Sequence, residues 1–265
     1  MSAPSQVFCR SFGHGPRQVL AVHCSLAHSG AWRGLAGDLA EEITLTGFDM
    51  LSHGRSPDWD GQGNYQLANT EAGLALLTEP LDLVGHSFGA TVALRMAMAR
   101  PHLVRSLTLI EPVLFAVAGA DDPAALAAME SESQPVDAAL AAGDLELATR
   151  LFNRMWGTGD PKWPDLPEQA RAAMVRAMPV IPASYQTLHR DENGTLAPGA
   201  LDPVTMPVLL LTGTRSPQVM AAVARGLTCR LGNARAASVP GAGHMLPVTH
   251  PQETAQLLRG FWQPL

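Results

Sequence analysis

The 265-residue sequence has little positive charge and almost no lysine, since Lys162 is the only one. Its 18 Lys and Arg residues are outnumbered by 24 Asp and Glu residues, which gives a formal net charge of −6. Binding to nucleic acid or to an anionic membrane surface needs a concentration of basic side chains. We therefore expect a small-molecule partner, no nucleic acid and no membrane; the composition leaves the oligomeric state open.

Cysteines and long apolar runs are also scarce. The three cysteines, Cys9, Cys24 and Cys229, have no paired spacing, which argues against a disulfide framework and predicts a reducing, cytoplasmic location. No segment approaches the roughly 18 apolar residues of a membrane span. Residues 1–10 lack the basic and apolar regions of a signal peptide.

Motifs for cofactors and metals are missing as well. Gly13-x-Gly15 lacks the third glycine of a dinucleotide-binding loop, and the sequence contains no Gly-Lys-Ser/Thr. No pair of Cys or His residues has zinc-ligand spacing. We therefore predict no cofactor and no metal site.

Short apolar runs alternate with longer amphipathic segments along most of the chain. The runs are apolar on both faces, which is typical of strands that are covered by helices on both sides. This alternation predicts an α/β fold with a doubly wound, mostly parallel sheet. The predicted strands are Val7–Phe12, Val19–His23, Ile43–Phe48, Leu81–Gly85, Leu107–Ile110, Val208–Thr212 and Ala236–Val239, and the predicted helices are Trp32–Glu42, Gln66–Leu77, Ser87–Arg100, Gln218–Leu231 and Pro251–Phe261.

The alternation stops between two of these strands. Residues 113–205 are rich in Ala, Leu, Met and Glu and contain no convincing strand, which predicts a helical insertion. The domain organisation is then a core of residues 1–112 and 206–265 that is interrupted by an insertion of residues 113–205. The predicted helices of the insertion are Pro123–Ser133, Pro135–Ala142, Leu145–Met155, Pro167–Ala177 and Ile181–His189.

The strongest chemical signal is Gly85-His86-Ser87-Phe88-Gly89, which lies between the predicted strand Leu81–Gly85 and the helix that follows. This is a G-x-S-x-G motif in the strand–turn–helix context that it requires. Glycine on both sides lets neighbouring backbone pass without a Cβ clash, so the serine hydroxyl projects from a tight turn. Ser87 is therefore the candidate nucleophile.

A second signal lies near the end of the sequence, in Gly241-Ala-Gly243-His244 after the last predicted strand. A histidine at this point fits the order Ser, acid, His. The two glycines allow the bend that returns the imidazole toward Ser87, so His244 is the candidate base. The alternative is a loop histidine that caps the final helix.

Acyl transfer also needs two backbone N–H groups for the developing oxyanion. One is expected from Phe88, directly after the nucleophile. The other is expected from the early loop His23-Cys24-Ser25-Leu26, either from Ser25, which we favour, or from Leu26. Cys24 is expected to be a small buried residue and not a nucleophile.

The order of these segments resembles the α/β-hydrolase fold superfamily, from about Val19 to Phe261. The resemblance implies that the insertion is a cap over the active site. Two positions depart from the family pattern: the early loop reads His23-Cys24 where the family has His-Gly, and His53, near Gly54, stands where the family has another glycine.

The family usually places its acid after the strand that corresponds to Val208–Thr212, but this segment continues Gly213-Thr-Arg-Ser216 without a carboxylate. Some members place the acid after an earlier strand, which makes Glu111 the candidate, because it directly follows the predicted strand Leu107–Ile110. The alternative is that Glu111 is only the N-terminal hinge of the insertion or a carboxylate that caps one of its helices. Asp49 and Asp82 are weaker candidates.

Together these features predict a serine hydrolase that cleaves a small, moderately hydrophobic ester, lactone or thioester through an acyl-enzyme on Ser87. A carbon–carbon bond hydrolase or a cofactor-free haloperoxidase uses the same triad, and a non-catalytic, receptor-like member of the fold is the alternative of another class. A haloalkane dehalogenase or epoxide hydrolase is disfavoured, because the nucleophile position holds Ser87. The predicted substrate-binding residues are Leu26, Phe115, Trp156 and Trp163, although apolar residues of the insertion also suit its own core.

Overall fold

A seven-stranded sheet forms the centre of the protein, for which a computed structural model describes residues 6–263. Residues 1–5, half of the stretch that was considered for a signal peptide, lie outside this range. The strand order is β1-β3-β2-β4-β5-β6-β7, with β1 antiparallel to β3 and every other pair parallel. The predicted α/β fold is confirmed. The strands are Cys9–Phe12 (β1), Arg17–Val22 (β2), Ile43–Phe48 (β3), Leu81–His86 (β4), Val104–Ile110 (β5), Val208–Gly213 (β6) and Ala234–Val239 (β7).

All seven predicted strands are present, with bounds that differ from the predicted ones by up to three residues, and the outer strand β7 shows one cause of such a difference. This strand begins at Ala234 instead of Ala236, because Ala234 and Arg235 pair with Val208 and Leu209 of β6. The Arg235 side chain is exposed, and a search for apolar runs does not detect a strand residue whose side chain faces solvent.

Helices cover both faces of the sheet, as the apolar strands predict. Alternate strand residues enter two separate cores: Val208 and Leu210 join the cluster under one layer of helices, while Leu209 and Leu211 join the other. The helices of the sheet layers are Arg33–Asp38 (α1), Tyr65–Leu76 (α2), Phe88–Ala99 (α3), Gln218–Arg230 (α10), Leu246–Thr249 (α11) and Pro251–Trp262 (α12).

The predicted helix Trp32–Glu42 is wrong at both ends. A 3₁₀ turn over Ser29–Trp32 precedes α1, and α1 stops at Asp38. The chain then turns sharply, with the N–H groups of Glu42 and Ile43 both donating to the Leu39 carbonyl at 2.9 and 3.0 Å. This turn brings the chain directly into β3.

Residues 113–205 contain helices and, across this described range, no strand. The helices are Phe115–Asp121 (α4), Pro123–Ala141 (α5), Leu145–Trp156 (α6), Glu168–Ala177 (α7), Val180–Ala183 (α8) and Tyr185–Arg190 (α9). Helix α4 was not predicted, and the helix predicted for Ile181–His189 is split into α8 and α9. Helix α4 packs against α10 of the sheet layers, so the insertion and the sheet layers share one core.

The predicted break before Pro135 is also wrong, because α5 continues through it. A proline inside a helix removes one backbone hydrogen bond and normally costs about 3 kcal/mol. Pro135 is exposed, whereas its neighbours Val136 and Ala139 are buried in a cluster with Ala148 and Met178. Burial of this face of α5 stabilises the continuous helix.

Among residues 6–263, no helix has the length and apolar character needed to cross a membrane.

Candidate active site

Ser87 lies at the turn between β4 and α3, with φ 57° and ψ −120°. Left-handed backbone is rare for a residue with a side chain and is maintained only where the surroundings impose it. Here both flanking glycines are in close backbone contact: a Cβ on Gly85 would lie 2.5 Å from the Ala90 Cα, and one on Gly89 would lie 2.3 Å from the His23 oxygen. The strand and the helix therefore pack too tightly for any other residue at these positions.

A chain of hydrogen bonds joins Ser87, His244 and Glu111. His244 Nε2 is 3.0 Å from Ser87 Oγ, and His244 Nδ1 is 3.0 Å from Glu111 Oε2. Because a carboxylate accepts only, Nδ1 carries the proton and Nε2 accepts from the serine hydroxyl. The structure thus brings together the three residues that the sequence proposed, from the ends of β4 and β5 and the loop after β7.

Glu111 is completely buried and rigidly held. Its N–H donates to the Leu211 carbonyl at 2.8 Å, and its φ is 49°. Carboxylate oxygen Oε1 accepts from the Gly213 N–H at 2.7 Å and from Ser216 Oγ at 2.8 Å, which leaves Oε2 for His244. The segment after β6, where the family's acid was expected, therefore supplies donors to a carboxylate on the neighbouring strand.

His86 forms a hydrogen bond with the backbone of His244, a contact that sequence reasoning missed. His86 Nε2 donates to the His244 carbonyl at 2.8 Å, and the two rings lie 5.3 Å apart. Burial, together with the neighbouring His244, lowers the pKa of His86 to about 3, so it stays neutral and keeps this donor role. The signal was available in the sequence, since His86 lies inside the G-x-S-x-G motif.

The two predicted oxyanion donors both line the cavity above Ser87. Over the described part of the chain, neither the Ser25 nor the Phe88 N–H has a hydrogen-bond acceptor. The Leu26 N–H, by contrast, donates to His53 Nε2 at 3.0 Å. Of the two residues proposed from the early loop, Ser25 is thus the one with a free N–H.

Cys24 and His53, the two departures from the family pattern, are both buried. His53 Nδ1 lies 2.9 Å from the Leu51 carbonyl and 3.1 Å from the Tyr65 hydroxyl, so its Nε2 can brace Leu26, whose φ is 60°. Burial lowers the pKa of His53 to about 4, so its ring is neutral. Cys24 is buried, and burial raises the pKa of its thiol to about 12, which leaves no thiolate at neutral pH.

The weaker acid candidates lie elsewhere. Asp82 is paired with Arg17 and Arg105, both at 2.7 Å, at the beginning of β4, the end of the strand away from Ser87. Asp49 accepts from the Ser29 and Arg55 N–H groups at 2.6 and 2.8 Å. Each carboxylate thus has a bracing role. Among the described residues, no three His, Cys, Asp or Glu side chains converge as a possible metal site.

A cavity of about 1180 Å³ opens above Ser87 and His244. Three of the four predicted substrate-binding residues, Leu26, Phe115 and Trp156, line it. The Trp156 ring also packs edge-on against His244, with the ring centres 4.8 Å apart. The walls come from the early loop and from helices of the insertion.

The fourth of these residues, Trp163, does not line this cavity. It lies in a separate pocket of about 430 Å³ with Arg150 and Arg154 of α6. Helix α6 ends at Trp156, and the chain then turns through residues 157–161, so Trp163 packs against the other side of the helix. The prediction that Trp163 contacts substrate disagrees with this placement.

Comparison with known sequences agrees with the geometry. The profile of the Alpha/beta hydrolase family matches residues 19–257. A lipase of Mycobacterium tuberculosis, LipV, is 32% identical over 94% of this chain and 95% of its own. A pimeloyl-[acyl-carrier protein] methyl ester esterase of Methylococcus capsulatus is 30% identical over 96% of this chain and 98% of its own.

Solved structures share the fold along almost the whole chain. A thermophilic esterase from Thermogutta terrifontis superposes with a TM-score of 0.70 at 20% identity, covering 97% of this chain and 93% of that one. An alpha/beta hydrolase from Sphaerobacter thermophilus gives 0.70 at 21% identity, covering 99% and 100%. At such identities the likeness concerns the fold alone, but the family profile and the two full-length relatives go further. The chain belongs to the alpha/beta hydrolase family.

Proposed function

We propose that this protein is a carboxylic ester hydrolase that uses Ser87 as its nucleophile. Ser87 Oγ attacks the ester carbonyl carbon while His244 Nε2 takes the hydroxyl proton. The protonated imidazole then gives this proton to the leaving alcohol, the carbon–oxygen ester bond breaks, and an acyl group remains on Ser87. Water attacks this acyl-enzyme with the same help from His244, and the carboxylic acid leaves.

Glu111 orients the imidazole and stabilises its positive charge without taking the proton. The carbonyl oxygen becomes negative during both attacks, and the Ser25 and Phe88 N–H groups are the donors for it. Phe88 is the first residue of α3, so the positive end of the helix dipole adds to this stabilisation.

The observation that carries the proposal is the continuous hydrogen-bonded chain from Glu111 through His244 to Ser87, at the base of a large cavity. The absence of an acid after β6 is what raised the receptor-like alternative. The contact between Glu111 and His244 supplies the missing partner and so favours catalysis.

The cavity favours an ester with an extended acyl chain over a small one. Its volume of about 1180 Å³ exceeds the roughly 300–1,000 Å³ of typical small-molecule sites. Phe115, Met155 and Trp156 give it apolar walls. The full-length relatives are a lipase and a methyl ester esterase for an acyl chain held on a carrier protein, so fatty acyl esters and thioesters are the proposed substrates. In this proposal residues 113–205 form a cap over the cavity.

The test uses two measurements on the intact protein. A fluorophosphonate probe should label Ser87, identified by mass spectrometry, and should leave Ser87→Ala unlabelled; a folded protein that remains unlabelled contradicts the proposal and favours the receptor-like alternative. A hydrolysis screen of 4-nitrophenyl esters with increasing acyl length, together with β-diketones and a halide-plus-peroxide assay, separates ester hydrolysis from carbon–carbon cleavage and haloperoxidase activity.

A further inference from the structure

Two arginines stand at the wall of the cavity that holds Ser87. Arg10 lies in β1 and Arg55 in the loop after β3, and both line this cavity. One aromatic ring contacts both guanidinium groups: the Arg55 Cζ is 4.2 Å from the centre of the Phe8 ring, and the Arg10 Cζ is 5.8 Å from it. Both guanidinium groups thus pack against the same ring at the wall of the cavity.

The segments around these arginines are fixed by hydrogen bonds. The Phe8 N–H donates to Ser56 Oγ at 2.9 Å, and the Phe8 carbonyl accepts from the Asp49 N–H at 2.8 Å. The Asp49 carboxylate links the loop that contains Ser29 to the loop that contains Arg55, because it accepts from both backbone N–H groups. The loop of residues 28–30 and the loop that carries Arg55 are thus tied to one carboxylate.

Neither guanidinium group has an acidic partner. Within residues 6–263 no carboxylate lies within 4.0 Å of Arg10 or Arg55, whereas Arg17, Arg230 and Arg259 are each paired. Asp49 is nearby, but both of its carboxylate oxygens accept backbone N–H groups.

The other carboxylates of the wall belong to α5 in the insertion and have partners of their own. Glu130 lies 3.1 Å from His189, and Asp137 lies 3.4 Å from Ser133 Oγ. Among the charged groups of the wall, the guanidinium N–H groups of Arg10 and Arg55 have no hydrogen-bond partner within residues 6–263 and are free to donate to an anionic ligand.

We propose that Arg10 and Arg55 form a subsite for an anionic group, a carboxylate or a phosphate, on the substrate at a distance from the ester bond. Guanidinium groups bind both anions in bidentate fashion. The inference rests on the proposed function, because it divides the cavity into an apolar part near Trp156 for the acyl chain and a cationic part for its far end. The substrate class is then an acyl methyl ester or similar ester that carries a remote negative charge.

The experiment compares two monomethyl esters of equal length, one ending in a carboxylate and the other in the isosteric primary amide. The wild type should show a higher kcat/KM for the carboxylate. Arg10→Gln and Arg55→Gln should each lower this value about tenfold, in line with the loss of a charge-assisted hydrogen bond, and leave the amide ester within about twofold. Arg33→Gln is the matched control, since the Arg33 Cζ lies 5.7 Å from the Phe12 ring but Arg33 does not line the cavity.

A third ester that ends in a phosphate distinguishes a dicarboxylic from a phosphorylated substrate. An equal loss for the charged and the amide ester, or no preference in the wild type, overturns the subsite. Binding of the free dicarboxylate to Ser87→Ala, measured by calorimetry, tests the subsite without catalysis: it should disappear in Ser87→Ala with both arginines replaced by Gln. Persistent binding there contradicts the subsite even if Ser87 is shown to be the nucleophile, whereas failed fluorophosphonate labelling contradicts only the catalytic proposal.

Discussion

Ser216 donates a hydrogen bond of 2.8 Å to Glu111, from the segment in which the family usually carries its catalytic acid. In this chain the carboxylate follows the neighbouring strand β5, and the segment after β6 holds it in place through Ser216 and the Gly213 N–H. The two positions therefore meet at one point beside His244, although they lie on different strands.

Replacing Glu111 by Gln should reduce kcat by up to about 10⁴, as for acid-to-amide changes in other triads. The amide keeps the size of the side chain but can donate to Nδ1, which favours the wrong tautomer of His244. Because Glu111 is buried, circular dichroism and thermal melting must first show that the variant is folded. A folded variant that loses less than about tenfold, or 1.4 kcal/mol, contradicts the assignment of the acid.

Adding Ser216→Asp to Glu111→Gln should recover part of the lost activity, because Ser216 Oγ already lies in contact with the carboxylate of residue 111. Ser216→Asp alone should be less active than the wild type, since it places a second carboxylate against the buried Glu111. Steady-state kinetics on one activated ester compares the three variants. No recovery in the folded double variant means that the segment after β6 cannot direct a carboxylate toward His244.

Ser87→Ala should lower kcat by about 10⁵ to 10⁶ while the fold persists, by analogy with the loss of other triad serines. Cys24→Ala is the matched control, because Cys24 lies in the same cavity wall but has a fully protonated thiol. It should retain most of the activity. A folded but inactive Cys24→Ala protein, or a Ser87→Ala protein within tenfold of the wild type, reverses the assignment of the nucleophile.

The two tryptophans should behave differently when replaced by alanine. Trp156 lines the cavity and packs against His244, so Trp156→Ala should change the preferred acyl length and lower kcat/KM. Trp163 lies in the separate pocket, so Trp163→Ala should leave both within about twofold. The readout is the ratio of kcat/KM for a long and a short 4-nitrophenyl ester. A loss of about 3–5 kcal/mol in unfolding free energy is expected for any emptied buried aromatic site, so stability is measured beside it.

Acid should destabilise the protein through three buried histidines. Burial, with a smaller effect of the neighbouring His53, lowers the pKa of His23 to about 3; burial lowers that of His53 to about 4 and that of His86 to about 3. In the unfolded chain each protonates near pH 6.5, so the unfolded state binds more protons below that pH. The free energy of unfolding therefore has its full value above about pH 6.5. Below that pH it falls by up to about 1.4 kcal/mol per pH unit for each histidine, until the pKa of that histidine in the folded protein is reached.

Urea unfolding at pH 7.5, 6.0 and 5.0 measures this effect. His53→Gln keeps a side chain that can accept from Leu26 but removes the titration, so its stability should decline less steeply than that of the wild type. Parallel slopes for the two proteins contradict the role of His53 in the acid sensitivity.

The sequence predicts the sheet, and the meeting of Ser87, His244 and Glu111 at one point, because both depend on local patterns. The strands are apolar runs, and G-x-S-x-G is only compatible with a tight turn in which Gly85 and Gly89 contact backbone. Glu111 could be identified from the sequence because a carboxylate directly after a buried strand lies at the carboxyl edge of the sheet, where ligands bind. The family resemblance then indicated which role remained to be filled.

The misses come from tertiary packing that leaves no local pattern. Pro135 resembles a helix break, but burial of Val136 and Ala139 carries α5 through it. Trp163 resembles a cap residue that contacts substrate. The turn after Trp156 decides which side of α6 it packs against, and this turn leaves no pattern in the sequence. The donors to Glu111 and the pair of arginines on Phe8 join residues that are far apart in sequence, so only the folded chain reveals them.

The position of Glu111 directly after β5 has a consequence for the order in which the site is assembled. Ser87 and Glu111 belong to the single unit β4–α3–β5, and the Ser87 N–H donates to the Ile110 carbonyl at 2.8 Å. Contacts of short sequence separation form with little loss of chain entropy, so we expect the Ser87 turn and the end of β5 to meet early in folding. His244 comes from beyond the insertion, and so do Gly213 and Ser216, which donate to the Glu111 carboxylate. A chain opened within residues 113–205 would keep Ser87 and Glu111 on one fragment and leave His244 and the donors to the Glu111 carboxylate on the other.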